Sequence, residues 1–170
     1  MAKKEEYIAY IKEHISNVKL VWEKYMKTIT LDIDTISRLS YLVKNHDDSK
    51  YTHLEFGAYR IKFFPEKNEE QSKKHFKEAW NHHQKFNPHH WQYWIMWKPE
   101  GSVALEMDYY YMLEMMCDWT AMSLKFNQKS VSEWYEKEKD NMLLAPRTRM
   151  MIEDRLFEFD EVLTSLTKCI

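Results

Sequence analysis

Asn45-His46-Asp47-Asp48-Ser49-Lys50 closes a helical run with a histidine, an aspartate directly after it, and a lysine three residues further on. Imidazole and carboxylate side by side are metal-ligand types. On a regular helix, neighbouring side chains diverge by about 100°. The two can therefore serve one centre only where the helix relaxes, which the Asp-Ser turn allows. If His46 and Asp47 are the middle of a site, the rest of the chain must bring further ligands to them.

Working outward, the chain offers such ligands at helical phase. Helix one is expected over about Lys3 to Ile29, with Tyr7, Ile11, Ile15, Val18, Trp22 and Tyr25 on an apolar stripe. His14 falls on that stripe between Ile11 and Val18. After a break over Leu31 to Asp34, with Asp32 or Asp34 as N-cap, helix two carries Ile36, Leu39 and Val43 inward and delivers His46 and Asp47 near its end. A third helix is expected from Thr52 to Phe64, ahead of Pro65. The fourth runs from about Glu69 to Phe86, with Phe76, Ala79, Trp80 and Phe86 as its inner face and His83 near the middle of it. Asn87-Pro88 ends it, and His89-His90-Trp91-Gln92-Tyr93-Trp94 reads as a short helical turn. Lys98-Pro99-Glu100-Gly101 reads as a loop. Helix five, Val103 to Phe126, is apolar nearly all round and so central. It carries Glu114 and Asp118 at i, i+4. Further helices are expected over Ser130 to Leu144 and from Pro146, at N1, to Thr167.

Composition supports this all-α reading. Two Gly and four Pro among 170 residues leave little turn chemistry for strands and hairpins. That length makes one domain spanning 1–170, able to bury a core. Aromatics at 15% and eleven Met suggest a wide, aromatic-rich interior. A net charge of −2 supplies no general field for a nucleic acid duplex or an anionic membrane. No apolar run approaches the ~18 residues of a membrane span. The N-terminus does not read as a signal peptide. With Cys117 and Cys169 as the only cysteines, a disulfide scaffold is not expected and a cytoplasmic, reducing home is the simpler reading.

The candidate metal ligands are therefore His14, His46, Asp47, His83, His89, His90 and Asp118, with the choice between His89 and His90 left open. An ionised Asp118 inside an apolar helix needs a metal, a cation or a proton. His-rich sets with two Asp do not discriminate among Fe, Mn, Ni and Zn. Lys50 is the candidate contact to an anionic substrate, with Arg60 behind it. Glu114 and Glu55 are candidates to orient ligand histidines or to bind metal themselves. His82 reads as a supporting or solvent-facing residue, and His53 and His75 as surface residues. Trp91, Tyr93, Trp94 and Trp97 read as core packing, or as a surface on which a base could stack.

The order His14 … His46-Asp47 … His83 … His89-His90 … Asp118 on a helical chain resembles the HD-domain metal-dependent phosphohydrolase superfamily. The segments His46 to Lys50 with Glu55-Phe56, His83 … Asn87-Pro88-His89-His90, and Cys117-Asp118-Trp119 look more narrowly like a family of short, uncharacterised bacterial and phage proteins. The resemblance implies an HD-like bundle of about six or seven helices and two divalent transition-metal ions bridged by Asp47. It also implies a metal-bound hydroxide attacking the phosphorus of a small phosphate ester, by analogy a nucleotide, with Asp47 and Lys50 catalytic. It leaves a homodimer open. Ser49 stands where the superfamily usually has Gly, and Tyr10 where three-metal members carry Glu. The same superfamily includes diiron oxygenases with this ligand set, which is the alternative reading. A metal-containing, non-catalytic nucleotide-binding protein is the third.

Overall fold

Helix α5 (Tyr109–Lys125) carries the run Met112 to Cys117, every residue of which is buried, and Thr120, Ala121 and Ser123 are buried beyond it. A helix apolar on all sides must be enclosed on all sides, and this one is: α1, α2, α7 and α8 pack around it, with α6 alongside. The computed structural model describes residues 3–67, 69 and 73–168. Among them the chain forms an all-α bundle of eight helices: α1 (Lys3–Tyr25), α2 (Ile33–Lys44), α3 (Phe56–Phe63), α4 (Lys73–Phe86), α5, α6 (Val131–Glu138), α7 (Pro146–Glu153) and α8 (Leu156–Thr167). None of them is long and apolar enough to cross a membrane.

The helix starts follow their caps. Asp32 accepts from the Thr35 backbone N–H at 2.9 Å and opens α2. Asp108 accepts from Tyr110 N–H at 2.9 Å, so α5 begins six residues later than Val103. Leu105, expected in that helix, is an exposed residue outside it. Ser130 caps α6 through Glu133 N–H at 3.0 Å. From α8, Asp160 accepts from Val131 N–H at 2.6 Å and Ser132 N–H at 3.2 Å, fastening the free amides of one helix start to another helix.

Other departures have local causes. The stretch from Pro146 is two helices, which raises the count from seven to eight. The break at Asp154-Arg155 sets Phe159 in a stack on Tyr25, ring centroids 4.4 Å apart, and Glu158 under the Tyr25 hydroxyl at 2.7 Å. Helix α6 ends at Glu138 and passes into a short turn, Lys139–Asn141. Helix α3 starts at Phe56 rather than Thr52. Helix α1 ends at Tyr25 rather than Ile29. Residues 95–104 form a hairpin, β1 (Ile95–Lys98) with β2 (Gly101–Ala104), where strands were not expected. Pro99-Glu100 is its two-residue turn, closed by Gly101 at φ +127°, a value suited to glycine. The inner face of α4 is Ala79, His83 and, just past its end, Asn87. Trp80 and Phe86 flank that stripe and are exposed. Cys117 is a buried free thiol. Helix four, expected from about Glu69, is described as helical from Lys73; residues 70–72 and Cys169 lie outside the described residues.

The buried apolar side chains form two clusters. The larger is built on Val18, Val21, Leu39, α5 and α8. The smaller holds Tyr7, Ile11, Tyr59 and Ala79. Helix α1 belongs to both, and His14 sits on it between Ile11 and Val18. The seam between two apolar cores is where a cluster of buried polar groups can be seated without splitting either.

Candidate metal centre

Asp47 is built into the seam by its backbone. It follows the C-cap of α2 with φ 58° and ψ 19°, the left-handed region, before the short turn Asp48–Tyr51. A residue with a Cβ pays about 1–2 kcal/mol for that conformation. In return the side chain leaves helical register, and His46 and Asp47, which a regular helix would turn apart, both point inward. Both are buried, at 1% and 2% exposure.

Each oxygen of Asp47 meets a different set of imidazoles. Oδ1 lies 3.3 Å from His83 Nε2 and 3.5 Å from His89 Nε2. Oδ2 lies 3.3 Å from His14 Nε2 and 3.7 Å from His46 Nε2. Asp118 Oδ1 closes the second set, 3.2 Å from His14 Nε2 and 4.0 Å from His46 Nε2. Candidate ligand atoms within 4.8 Å of one another form three overlapping groups: Asp47, His83, His89 and His90; His14, His46 and Asp118; and His46, His89 and Glu114. So His89 and His90 both belong to the site, and α1, α2, α4, α5 and the loop after α4 each contribute. Asp118 is not fully buried: its side chain is 14% exposed.

The far nitrogens of the rings are held by carboxylates. His46 Nδ1 is 2.9 Å and His89 Nδ1 3.3 Å from Glu114 Oε1. His83 Nδ1 is 2.8 Å from Glu55 Oε2, and His82 Nδ1 is 2.7 Å from Glu55 Oε1. Such bonds assign the proton to Nδ1 and turn the Nε2 lone pair toward the centre. The result is an electron-rich cavity. His46 Nε2, His89 Nε2, His90 Nε2 and Asp47 Oδ1 are all buried with no hydrogen-bond partner. Buried acceptors facing one another are costly unless cations stand between them, and this donor set of imidazoles and carboxylates suits divalent transition metals.

The electrostatics agree. Burial disfavours ionised Asp47, yet Lys50, His46 and His83 hold it well below the carboxylate range. Burial likewise opposes ionised Asp118, and His14 pulls it far down. Glu114 is lowered to about 2, His89 and His46 overcoming its desolvation. Conversely, burial lowers the two protonatable imidazoles His14 and His89, but their acidic neighbours raise them to about 8 and about 10. His90, buried beside His89 and His83, is pushed well below the ordinary histidine value. The acidic neighbours thus favour positive charge at His14 and His89, as they would favour a metal cation between the rings.

Lys50 Nζ is 2.5 Å from Asp47 Oδ2. Arg60 is committed to Glu69 and plays no part. His53 and His75 are exposed. His82 touches the site through Glu55. Ser49 and Asn87 were not among the sequence candidates. Ser49, buried at the expected glycine position, donates to Glu55 Oε2 at 3.0 Å and accepts from Asn87 Nδ2 at 2.7 Å. Asn87, in the Asn87-Pro88-His89-His90 segment, also donates to the His83 carbonyl at 2.8 Å. A cavity of about 430 Å³ opens against the centre, with His90 and Asp118 on its wall. Trp91 lines this cavity, Trp94 is packed with its indole N–H on the Pro88 carbonyl at 2.7 Å, and Trp97 is exposed.

One family model matches residues 3–157, a span that includes every residue of the centre; it is described as a family of unknown function (DUF5662). No curated protein and no solved structure matches the chain.

Proposed function

We propose, for a chain that belongs to the family of unknown function DUF5662, that it is a metal-dependent phosphohydrolase acting on a small phosphate ester with two divalent transition-metal ions. The observation that carries this reading is the division of Asp47, one oxygen toward His83 and His89 and the other toward His14 and His46. His90 would complete the first set and Asp118 the second. Two ions so held would acidify a bound water and take up charge developing on a phosphoryl group.

The protein's own groups supply position and order. Glu114 fixes the rotation of His46 and His89, and Glu55 that of His83. Ser49 and Asn87 brace Glu55 in turn. Lys50 shares Asp47 Oδ2. With metal ions held by these ligands, the Lys50 ammonium would be placed to meet a phosphate oxygen in the transition state. His90 and Asp118 mark the side from which the phosphoryl group arrives, because they line the adjoining cavity. The same residues carry the likeness to the HD-domain superfamily, so the two proposals stand together.

The test is elemental analysis of protein purified without chelator, then phosphate release from p-nitrophenyl phosphate and its diester with Fe, Mn, Ni or Zn. About two ions per chain and metal-dependent release are expected, both lost in a His46→Ala/Asp47→Ala variant. Full metal content in that variant would refute the site. Turnover that needs oxygen and frees no phosphate would instead favour a diiron oxygenase on the same ligands.

A further inference from the structure

The cavity beside the centre has a chemistry of its own. Its volume of about 430 Å³ lies within the usual range for small-ligand pockets. Four elements each give it one indole: Trp80 from α4, Trp91 from the turn after it, Trp119 from α5 and Trp134 from α6. The Trp119 and Trp134 rings form a corner, centroids 4.9 Å apart and planes at 60°. Indole faces attract cations better than any other side-chain ring.

The Asp and Glu side chains on the cavity wall are its charged groups, and no lysine or arginine lines it. One is Asp118, which belongs to the metal centre. The other is Glu138, the last residue of α6, where the helix dipole adds further negative potential. Among the described residues no lysine, arginine or histidine forms an ion pair with Glu138. Its side chain accepts a hydrogen bond from Asn141 Nδ2 at 3.3 Å. The adjacent Lys139 is turned to Glu136 at 2.6 Å. Gln92 Oε1, from the same wall, is buried without a donor.

We propose that this cavity receives an organic ammonium group, and that the ester cleaved beside it is the phosphate of an amino alcohol. The ester half of this statement rests on the phosphohydrolase reading; the cation half does not. An ammonium satisfies the indole faces and Glu138 together, and its N–H, where it has one, meets Gln92 Oε1. A nucleoside diphosphate or triphosphate would bring, beyond the one phosphoryl group at the metal centre, further anionic charge to a wall whose other charged side chain is Glu138. A neutral base could stack but would leave Glu138 without a counter-charge. In the reaction, water gives its oxygen to phosphorus as the bond to the alcohol oxygen breaks. The departing oxygen takes a proton, leaving inorganic phosphate and the free amino alcohol.

The test is titration of intrinsic tryptophan fluorescence in the metal-loaded protein with choline and with its uncharged carbon isostere dimethylbutanol, then with ethanolamine and propanol, and with adenosine monophosphate. The charged member of each pair should bind about tenfold more tightly than the neutral one. Glu138→Gln should remove most of that difference while leaving the neutral compounds unchanged. Equal binding of charged and neutral members would overturn the proposal. So would adenosine monophosphate binding more tightly than either amine and indifferently to Glu138→Gln, which would mark a base-stacking pocket. Choline binding without hydrolysis of phosphocholine or phosphoethanolamine would sink the phosphohydrolase reading and leave the ammonium site standing. Hydrolysis of esters with no preference for the charged ones would do the reverse.

Discussion

Asp47 is the residue on which the centre turns, and its replacement separates a metal site from a polar core network. Asn keeps the shape of the side chain and accepts the left-handed backbone readily, so Asp47→Asn should fold. It removes the shared negative charge, and metal content should fall from about two ions per chain to one or fewer, with activity lost. Elemental analysis reads this directly, and unchanged metal content would mean that Asp47 does not bridge. The raised values of His14 and His89 give a second expectation. A metal binds neutral imidazole, whereas at neutral pH both rings carry protons, with values of about 8 and about 10. Metal uptake should therefore release up to two protons per chain, and affinity should climb as pH rises through about 8 and fall as pH drops below it. Calorimetry in buffers of different ionisation enthalpy counts those protons, and affinity flat across this range would contradict the assignment. These candidate ligands were legible in the sequence because histidine and aspartate are conspicuous, His14, His83 and Asp118 on inward helical faces and the others at helix ends. Ser49 and Asn87 were not, since a serine or an asparagine at a helix end ordinarily reads as a cap or turn.

At the scale of elements, the helices were legible from apolar spacing, but their ends were not. Leu105 and Val103 extend the apolar pattern of α5 backward, yet the chain there belongs to a hairpin, and only Asp108 fixes the true start. Four-residue strands are too short to show alternation above the noise of a chain rich in aromatics. The split of α7 from α8 was also hidden, because its cause is the distant Tyr25 that draws Phe159 and Glu158 to it. Asp160 is another long-range device. Its carboxylate takes two backbone amides and the Ser132 hydroxyl, the last at 2.5 Å, at the start of α6. Asp160→Ala should destabilise the fold by about 1–3 kcal/mol, since hydrogen bonds to a charged acceptor at a helix start are lost. At this chain length each kcal/mol is about 2–4 °C in Tm. Metal content should stay intact, because no ligand lies on α6 or α8. A variant with wild-type Tm would show that Ser130 alone holds that helix start.

For the whole molecule, the centre is a clasp between two cores. No single helix carries enough of it: His14 comes from α1, His46 and Asp47 from the end of α2, His83 from α4, His89 and His90 from the loop, and Asp118 from α5. Composition and periodicity could say that these residues face inward, but not that the Val18 cluster and the Tyr7 cluster meet along the line where they lie. That depends on how α1 crosses α5 and α3, which no local pattern encodes. The arrangement has a measurable consequence. An ion bound only by the assembled helices stabilises the folded state by mass action, by about 2.7 kcal/mol when it is present at a hundred times its Kd. For a chain of this size that is about 5–11 °C in Tm. Stripping metal with a chelator should lower Tm by at least about 5 °C, and re-addition of the ion should restore it. The loss should be smaller below pH about 8, because protonated His14 and His89 weaken metal binding there and the ion then adds less to the folded state. A Tm unmoved by chelation and re-addition would mean that the seam is closed by its own protons and ion pairs, and that the carboxylate–imidazole cluster is a structural core rather than a place for metal.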